Sequence, residues 1–104
     1  MTFLFVHKEP FNNIINNSKT IEIRRNRGFI TTLKPNTEIY FKYKNKIHLV
    51  KIEKIEYFEN LYNLLNKTTI SLINPCLDNI EQALTYFNTY YKNFNTEFSA
   101  IYFK

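Results

Sequence analysis

Cysteine occurs once in this 104-residue chain, glycine once, proline three times and tryptophan not at all. A lone cysteine, Cys76, excludes an internal disulfide and a cysteine-built metal site. A lone glycine, Gly28, excludes the glycine-rich loops that cradle phosphates, since those turns need several residues without a Cβ. His-x-x-x-His and Cys-x-x-Cys spacings are missing too, so neither a metal nor a cofactor is expected. No apolar run reaches the roughly 18 residues of a membrane-spanning helix. The short apolar run Met1–Val6 lacks the basic start and small-residue cleavage site of a signal peptide. These absences predict a soluble, intracellular protein, cytoplasmic and with no membrane partner.

Aromatic residues and lysines are plentiful. Ten Phe and eight Tyr predict an aromatic core, and residues 1–104 are short enough to form one domain. A chain of this size buries roughly two-thirds of its unfolded surface. The net charge of +5 points to an anionic partner, nucleic acid first. Abundant Lys, Asn, Ile, Phe and Tyr are also what an AT-rich genome encodes. The basic residues nevertheless cluster in the first half, from Lys19, Arg24, Arg25 and Arg27 to Lys42, Lys44 and Lys46.

Periodicity divides the chain into elements. "TFLFV" reads as a strand buried on both faces, and "KEPFNNIINN" as a helix with Phe11, Ile14 and Ile15 on one side. "KTIEIR" alternates as a strand, residues 25–36 form a loop, and "EIYFKY" pairs through "KNK" with the long strand "IHLVKIEKIEYF". Phe58, Leu61, Tyr62 and Leu65 then stand at helical spacing, and Pro75 ends a short irregular helix. Asp78 and Glu81 form an Asp-led capping box for a helix over "DNIEQALTYFNTYY", followed by a closing strand "FSAIYF". This order predicts an α+β fold: a small, mostly antiparallel β-barrel with helices packed outside.

The charged face of "SKTIEIRR" is the strongest candidate site. In a strand, Thr20, Glu22 and Arg24 project to one side about 7 Å apart, with Lys19 at the mouth. They form either an outer-face ion pair contributing about 0–1 kcal/mol or a polar pocket in which amine, hydroxyl, carboxylate and guanidinium meet a ligand. A patch of Arg25, Arg27, Lys42 and Lys44 could track phosphates, with Tyr40, Tyr43 or Phe29 for base stacking. His7 and His48 read as ordinary strand-end or surface histidines, and Cys76 as a buried apolar residue. Tyr86, Phe87, Tyr90 and Tyr91 read mainly as core packing, with Tyr86 and Tyr90 one turn apart on the exposed side.

The chain also resembles a known family nearly end to end. "KEPFNNIINNSKTIEIR" is similar to the opening of small ASCH domains of the PUA-like superfamily, including bacterial and viral ones, with their Lys-Thr-Ile-Glu-x-Arg stretch. "LKPNTEIYF", "YFENLYNLL" and "YYKNFNTEFSAIYF" fall in the family's later segments in order. Asn17 and Asn36 replace glycines, which asparagine does best because it tolerates positive φ; Thr37 replaces an Asp. The resemblance implies a barrel of about six strands with a cleft between barrel and first helix, suited to RNA or a nucleotide. One branch of the family deacetylates N4-acetylcytidine with a lysine, a threonine and a glutamate. Lys19 matches that lysine, but Glu22 stands at the threonine position and residues 66–77 hold no carboxylate. That activity is therefore not carried over.

The expected function is an RNA- or nucleotide-binding module using Lys19, Thr20, Glu22 and Arg24, with Arg25, Arg27, Lys42 and Lys44 as an electrostatic track. The alternatives are a ribonuclease or modified-nucleoside hydrolase built on Lys19 and Glu22, and a protein-interaction accessory factor such as a viral one.

Overall fold

A computed structural model describes all of residues 1–104. Strand β1 (Phe3–Phe5) leads into helix α1 (Lys8–Ile15) and strand β2 (Ile21–Arg25). A 3-10 turn (Gly28–Thr32) lies within the expected loop before β3 (Glu38–Tyr43) and β4 (Lys46–Phe58). Helices α2 (Leu61–Lys67), α3 (Ile70–Ile73) and α4 (Ile80–Asn88) precede the last strand, β5 (Phe98–Phe103). Asparagines rather than an aspartate cap two of these helices: Asn60 Oδ1 accepts from Asn63 N, and Asn79 Oδ1 from Gln82 N. The cap expected at Asp78 thus forms one residue later, at Asn79. Asn79 takes the extended φ of a cap, and Gln82 turns back to accept from Asp78 N.

The fold is α+β, with four helices and a five-stranded, mostly antiparallel sheet in the order β1-β3-β4-β5-β2. Only β1 and β3 run parallel. The thirteen-residue β4 serves both halves, pairing with β3 through Lys46–Lys51 and with β5 through Ile52–Phe58, with a register shift between Ile52 and Lys54. Such an irregularity bends the strand and strengthens its twist.

The expected closed barrel of about six strands is corrected here. Strands β1 and β2 are the two edges, and no backbone ladder joins them. Arg24 spans the gap instead, donating from Nη2 to Phe5 O at 2.7 Å. Three-residue β1 is too short for an extended ladder, and charged side chains occupy the seam where one would run.

Two apolar clusters lie on opposite sides of β5. Ile101 and Phe103 join Leu4, Phe11, Ile14, Phe41 and Ile52 beneath α1. Phe98 and Ala100 join Ile21, Ile23, Leu61, Leu64, Ala83 and Phe87 beneath α2 and α4. This alternation is the period of a strand buried on both faces. Asn17 and Asn36 each have φ of 65°, at the chain reversals after α1 and before β3.

Ile101→Ala, at a fully buried position of β5, should lower unfolding stability by about 2–5 kcal/mol in urea titrations. Ile15→Ser, on the exposed side of α1, should stay within about 0.5 kcal/mol. A loss below about 1 kcal/mol for Ile101→Ala would contradict its place as shared core wall.

Candidate functional site

The open seam between β1 and β2 contains a cavity of about 280 Å³, close to the lower end of the ~300–1,000 Å³ typical of small-molecule sites. Its floor comes from β2. Register pairs Glu22 with Ile101 and Arg24 with Ser99, so both side chains project on the β5 face opposite Phe98 and Ala100. Phe103 N donates to Thr20 O, and Asn26 N to Glu97 O. Even-numbered residues of β2 therefore turn their backbone toward β5, and Ile23 turns its N–H and C=O to the free edge. Ile23 lines the cavity although its side chain belongs to the core.

Three charges form a continuous chain on this floor. Glu22 Oε1 lies 3.0 Å from Lys19 Nζ, and Glu22 Oε2 accepts from Arg24 Nε at 2.7 Å. Lys19 Nζ also donates to Ile21 O at 2.6 Å and Ile73 O at 2.9 Å. Its three protons thus have three partners, and the residue is only 5% exposed. Arg24 uses Nε and one Nη2 proton, leaving the Nη1 protons and the second Nη2 proton for a ligand.

Burial alone would push the Glu22 carboxyl up, but Lys19 and then Arg24 overcome it and hold the group below the ordinary carboxylate value. Burial likewise works against the Arg24 cation, and Glu22 more than offsets that, raising its pKa. The formal charges of Lys19, Glu22 and Arg24 sum to +1.

The walls bring in residues that sequence reasoning had not assigned to a site. Asn74 is buried at the end of α3, where its Oδ1 accepts from Cys76 N at 2.9 Å. That bond orients the amide and leaves the two Nδ2 protons for the cavity that Asn74 lines. Tyr86 from α4 and Tyr90 and Tyr91 just beyond its end line it too, as do His7, which precedes α1, and Asn13 in its second half. The rings of Tyr86 and Tyr90 are 5.3 Å apart, and His7 lies 5.6 Å from Tyr90 at an interplanar angle of 32°. Burial, then the neighbouring Tyr90 phenol, pushes the Tyr86 hydroxyl well above its ordinary value, so it is a neutral donor. The four-residue spacing of Tyr86 and Tyr90 was the available signal for this wall; nothing in the sequence marked Asn74 or His7.

Of the expected ligand residues, Lys19, Glu22 and Arg24 meet on the floor, whereas Thr20 does not line the cavity. Its backbone instead ties β2 down, with Thr20 N donating to Leu72 O. Arg25 pairs in register with Phe98 and projects opposite to Arg24. The hydroxyl of Tyr91 is raised by burial and then Glu22, against the opposing charges of Arg24, Arg25 and Arg27, whose field reaches this wall. Lys42 and Lys44 lie outside the cavity: Lys42 Nζ is 5.6 Å and 6.0 Å from the Phe3 and Phe5 rings, and Lys44 Nζ is 5.5 Å from Tyr43. Cys76, expected to be buried, is exposed, with Sγ 3.7 Å from Glu9 Oε1. No group of three or more His, Cys, Asp or Glu side chains is arranged to hold a metal, and no helix is long and apolar enough to cross a membrane.

The sequence model of the ASCH domain matches residues 4–102. The chain belongs to the ASCH domain family. Two solved structures share the fold of this ASCH domain. The crystal structure of hypothetical protein PH0355 superposes with a TM-score of 0.87 at 21% identity, covering 100% of this chain and 98% of that one. The solution NMR structure of protein PF0455 from Pyrococcus furiosus gives a TM-score of 0.75 at 18% identity, covering 99% and 94%. No curated protein matches the sequence.

Glu22→Gln should cost about 3–5 kcal/mol at neutral pH, because it leaves two cations without their buried counter-charge. A carboxyl with a lowered folded pKa contributes stability that is complete above its unfolded value and lost as pH falls through the folded one. Urea midpoints of the wild type should therefore fall as pH drops below about 4.5, and Glu22→Gln should flatten that limb. An equally steep acid limb in the variant would assign it to other carboxyls.

Proposed function

We propose that this ASCH domain binds RNA or a nucleotide in the seam cavity, as a binding module rather than a catalyst. The supporting observation is the donor balance of the floor. Lys19 is saturated and Glu22 is held between two cations, whereas Arg24 and Asn74 present five unused N–H protons between them. A net positive, donor-rich surface favours ligands with anionic or carbonyl oxygens. Tyr86, Tyr90 and His7 add flat faces on which a heterocycle can stack. Phosphate and a nucleobase carbonyl supply the acceptors, and the base ring supplies the stacking partner.

The same geometry disfavours Glu22 as a general base. A carboxylate whose pKa is depressed by two cations gains little by taking a proton near neutral pH. Lys19 acts on the ligand indirectly, by fixing Glu22, which in turn fixes Arg24.

Calorimetric titration with nucleoside 5′-monophosphates and short RNA at low salt tests the reading. Arg24→Ala and Asn74→Asp should each weaken binding by about tenfold or more, since each removes charge-assisted or neutral donors worth roughly 1–3 kcal/mol. Binding should also fall as salt rises. Absence of binding to RNA, DNA and mononucleotides at every ionic strength would sink the proposal.

A further inference from the structure

The outer face of the β1–β3–β4 half-sheet is uncovered by any helix and carries an unusual mixture. Register aligns Phe3 with Tyr40 and Leu49 in one row, and Phe5 with Lys42 and Ile47 in the next. Phe5 is 68% exposed, Ile47 52% and Leu49 43%. The Phe3 and Tyr40 rings lie 5.4 Å apart at an interplanar angle of 32°. Lys42 sits over Phe3 and Phe5. Exposed apolar groups this dense on one sheet face mark an interaction surface.

We propose that this face is a stacking platform for the single-stranded nucleic acid that flanks a nucleotide held in the seam cavity. The inference rests on the cavity reading above for its starting point, and two observations carry it further. First, the face is continuous with the cavity: Phe5 lines the cavity and stands in the outer row, and its carbonyl accepts from Arg24. A strand leaving the cavity past Phe5 meets Lys42 and then the Phe3–Tyr40 pair.

Second, the charge on the face suits a polyanion better than a protein. None of the four ion pairs in the molecule involves Lys42, Lys44 or Lys46, and Glu38, on the same face as Lys42, stands opposite Lys51 at the far end of the ladder. Lys42 stands among the aromatic rings, where a dry protein interface would strip its water without supplying a counter-charge, and lysine is depleted from such interface centres. A nucleic-acid strand resolves that conflict, because its bases stack on the rings while its phosphates meet the ammonium groups. Aromatic side chains on an open sheet surface read single-stranded RNA in this way elsewhere. Lys44 and Lys46, at the β3–β4 turn, extend the positive field beyond the Lys42 row.

The test compares cytidine 5′-monophosphate with a labelled six-nucleotide RNA of mixed sequence, on the wild type, Tyr40→Ala and Lys42→Gln, with urea unfolding to confirm that each variant folds. The hexamer should bind the wild type more tightly than the mononucleotide. Tyr40→Ala should weaken hexamer binding by about tenfold. Lys42→Gln should lower the slope of log affinity against log salt by about 0.7, and mononucleotide affinity should hold in both variants. Unchanged hexamer binding in both variants overturns the platform and leaves the face to a protein partner. Equal losses for hexamer and mononucleotide overturn it too, placing the effect inside the cavity. A hexamer that binds through Tyr40 and Lys42 while the mononucleotide never binds keeps the platform and rejects the cavity reading.

Discussion

Glu22 sits between Lys19 Nζ at 3.0 Å and Arg24 Nε at 2.7 Å, and the outer ends of this chain are tied to backbone carbonyls of three elements. Lys19 holds Ile21 O of β2 and Ile73 O of α3, and Arg24 holds Phe5 O of β1. Ile21 and Phe5 belong to the two sheet edges, whose carbonyls must find donors or water. In a closed barrel a neighbouring strand supplies those donors. Here charged side chains supply them, and because they are longer than a ladder bond the edges stay apart. The cavity, the orientation of α3 and the incomplete sheet follow from that substitution of side chain for strand.

Buried charges are expensive to desolvate, and a buried ion pair is weak grounds for stability when hydrophobic groups could fill the same space. This chain of three has a different use. Its inner contacts neutralise Glu22 and saturate Lys19, while its outermost member, Arg24, keeps unsatisfied protons at the cavity surface. The cost of burying the first two groups is offset mainly within the cluster, and the N–H donors left over belong to Arg24. Asn74 repeats the pattern with a neutral side chain, its acceptor used by Cys76 N and its donors free. Two unrelated groups with the same polarity give the cavity a chemical preference that neither gives alone.

The sequence made the elements legible wherever one periodicity ruled. Alternation in "TIEIR", the hairpin around "KNK" and the i, i+3, i+4 pattern of Phe11, Ile14 and Ile15 correspond to β2, β3–β4 and α1. Barrel closure was not legible, because closure depends on whether two strands far apart in sequence find each other. Nothing local in "TFLFV" or "TIEIR" states that Arg24 will reach Phe5 O. The charged floor was visible as a strand face carrying ions without a structural need for them. The walls were not. Tyr86 looks like any helix aromatic until α4 is docked, and Asn74 looks like a turn residue ahead of Pro75 until α3 buries it. Apart from the one-turn spacing of Tyr86 and Tyr90, the residues brought in by tertiary docking carry no pattern of their own.

The order of the elements explains why the two halves of the sheet differ so much in cover. Helices α2, α3 and α4 all follow β4 and pack on the β5–β2 half, burying Ile21, Ile23, Phe98 and Ala100. Helix α1 covers the inner side of the other half, through Phe11 and Ile14. No element remains for the outer side of β1–β3–β4, so Phe3, Phe5, Tyr40, Ile47 and Leu49 stay partly or fully in water around Lys42. Closing the barrel would not cover them, since they face away from its interior. A face that folding leaves bare and that holds an unpaired ammonium among aromatic rings gains little from further burial by the chain itself. Its physical complement is a ligand with flat faces and negative charge, and the edge that opens toward such a ligand is the edge where Arg24 already waits.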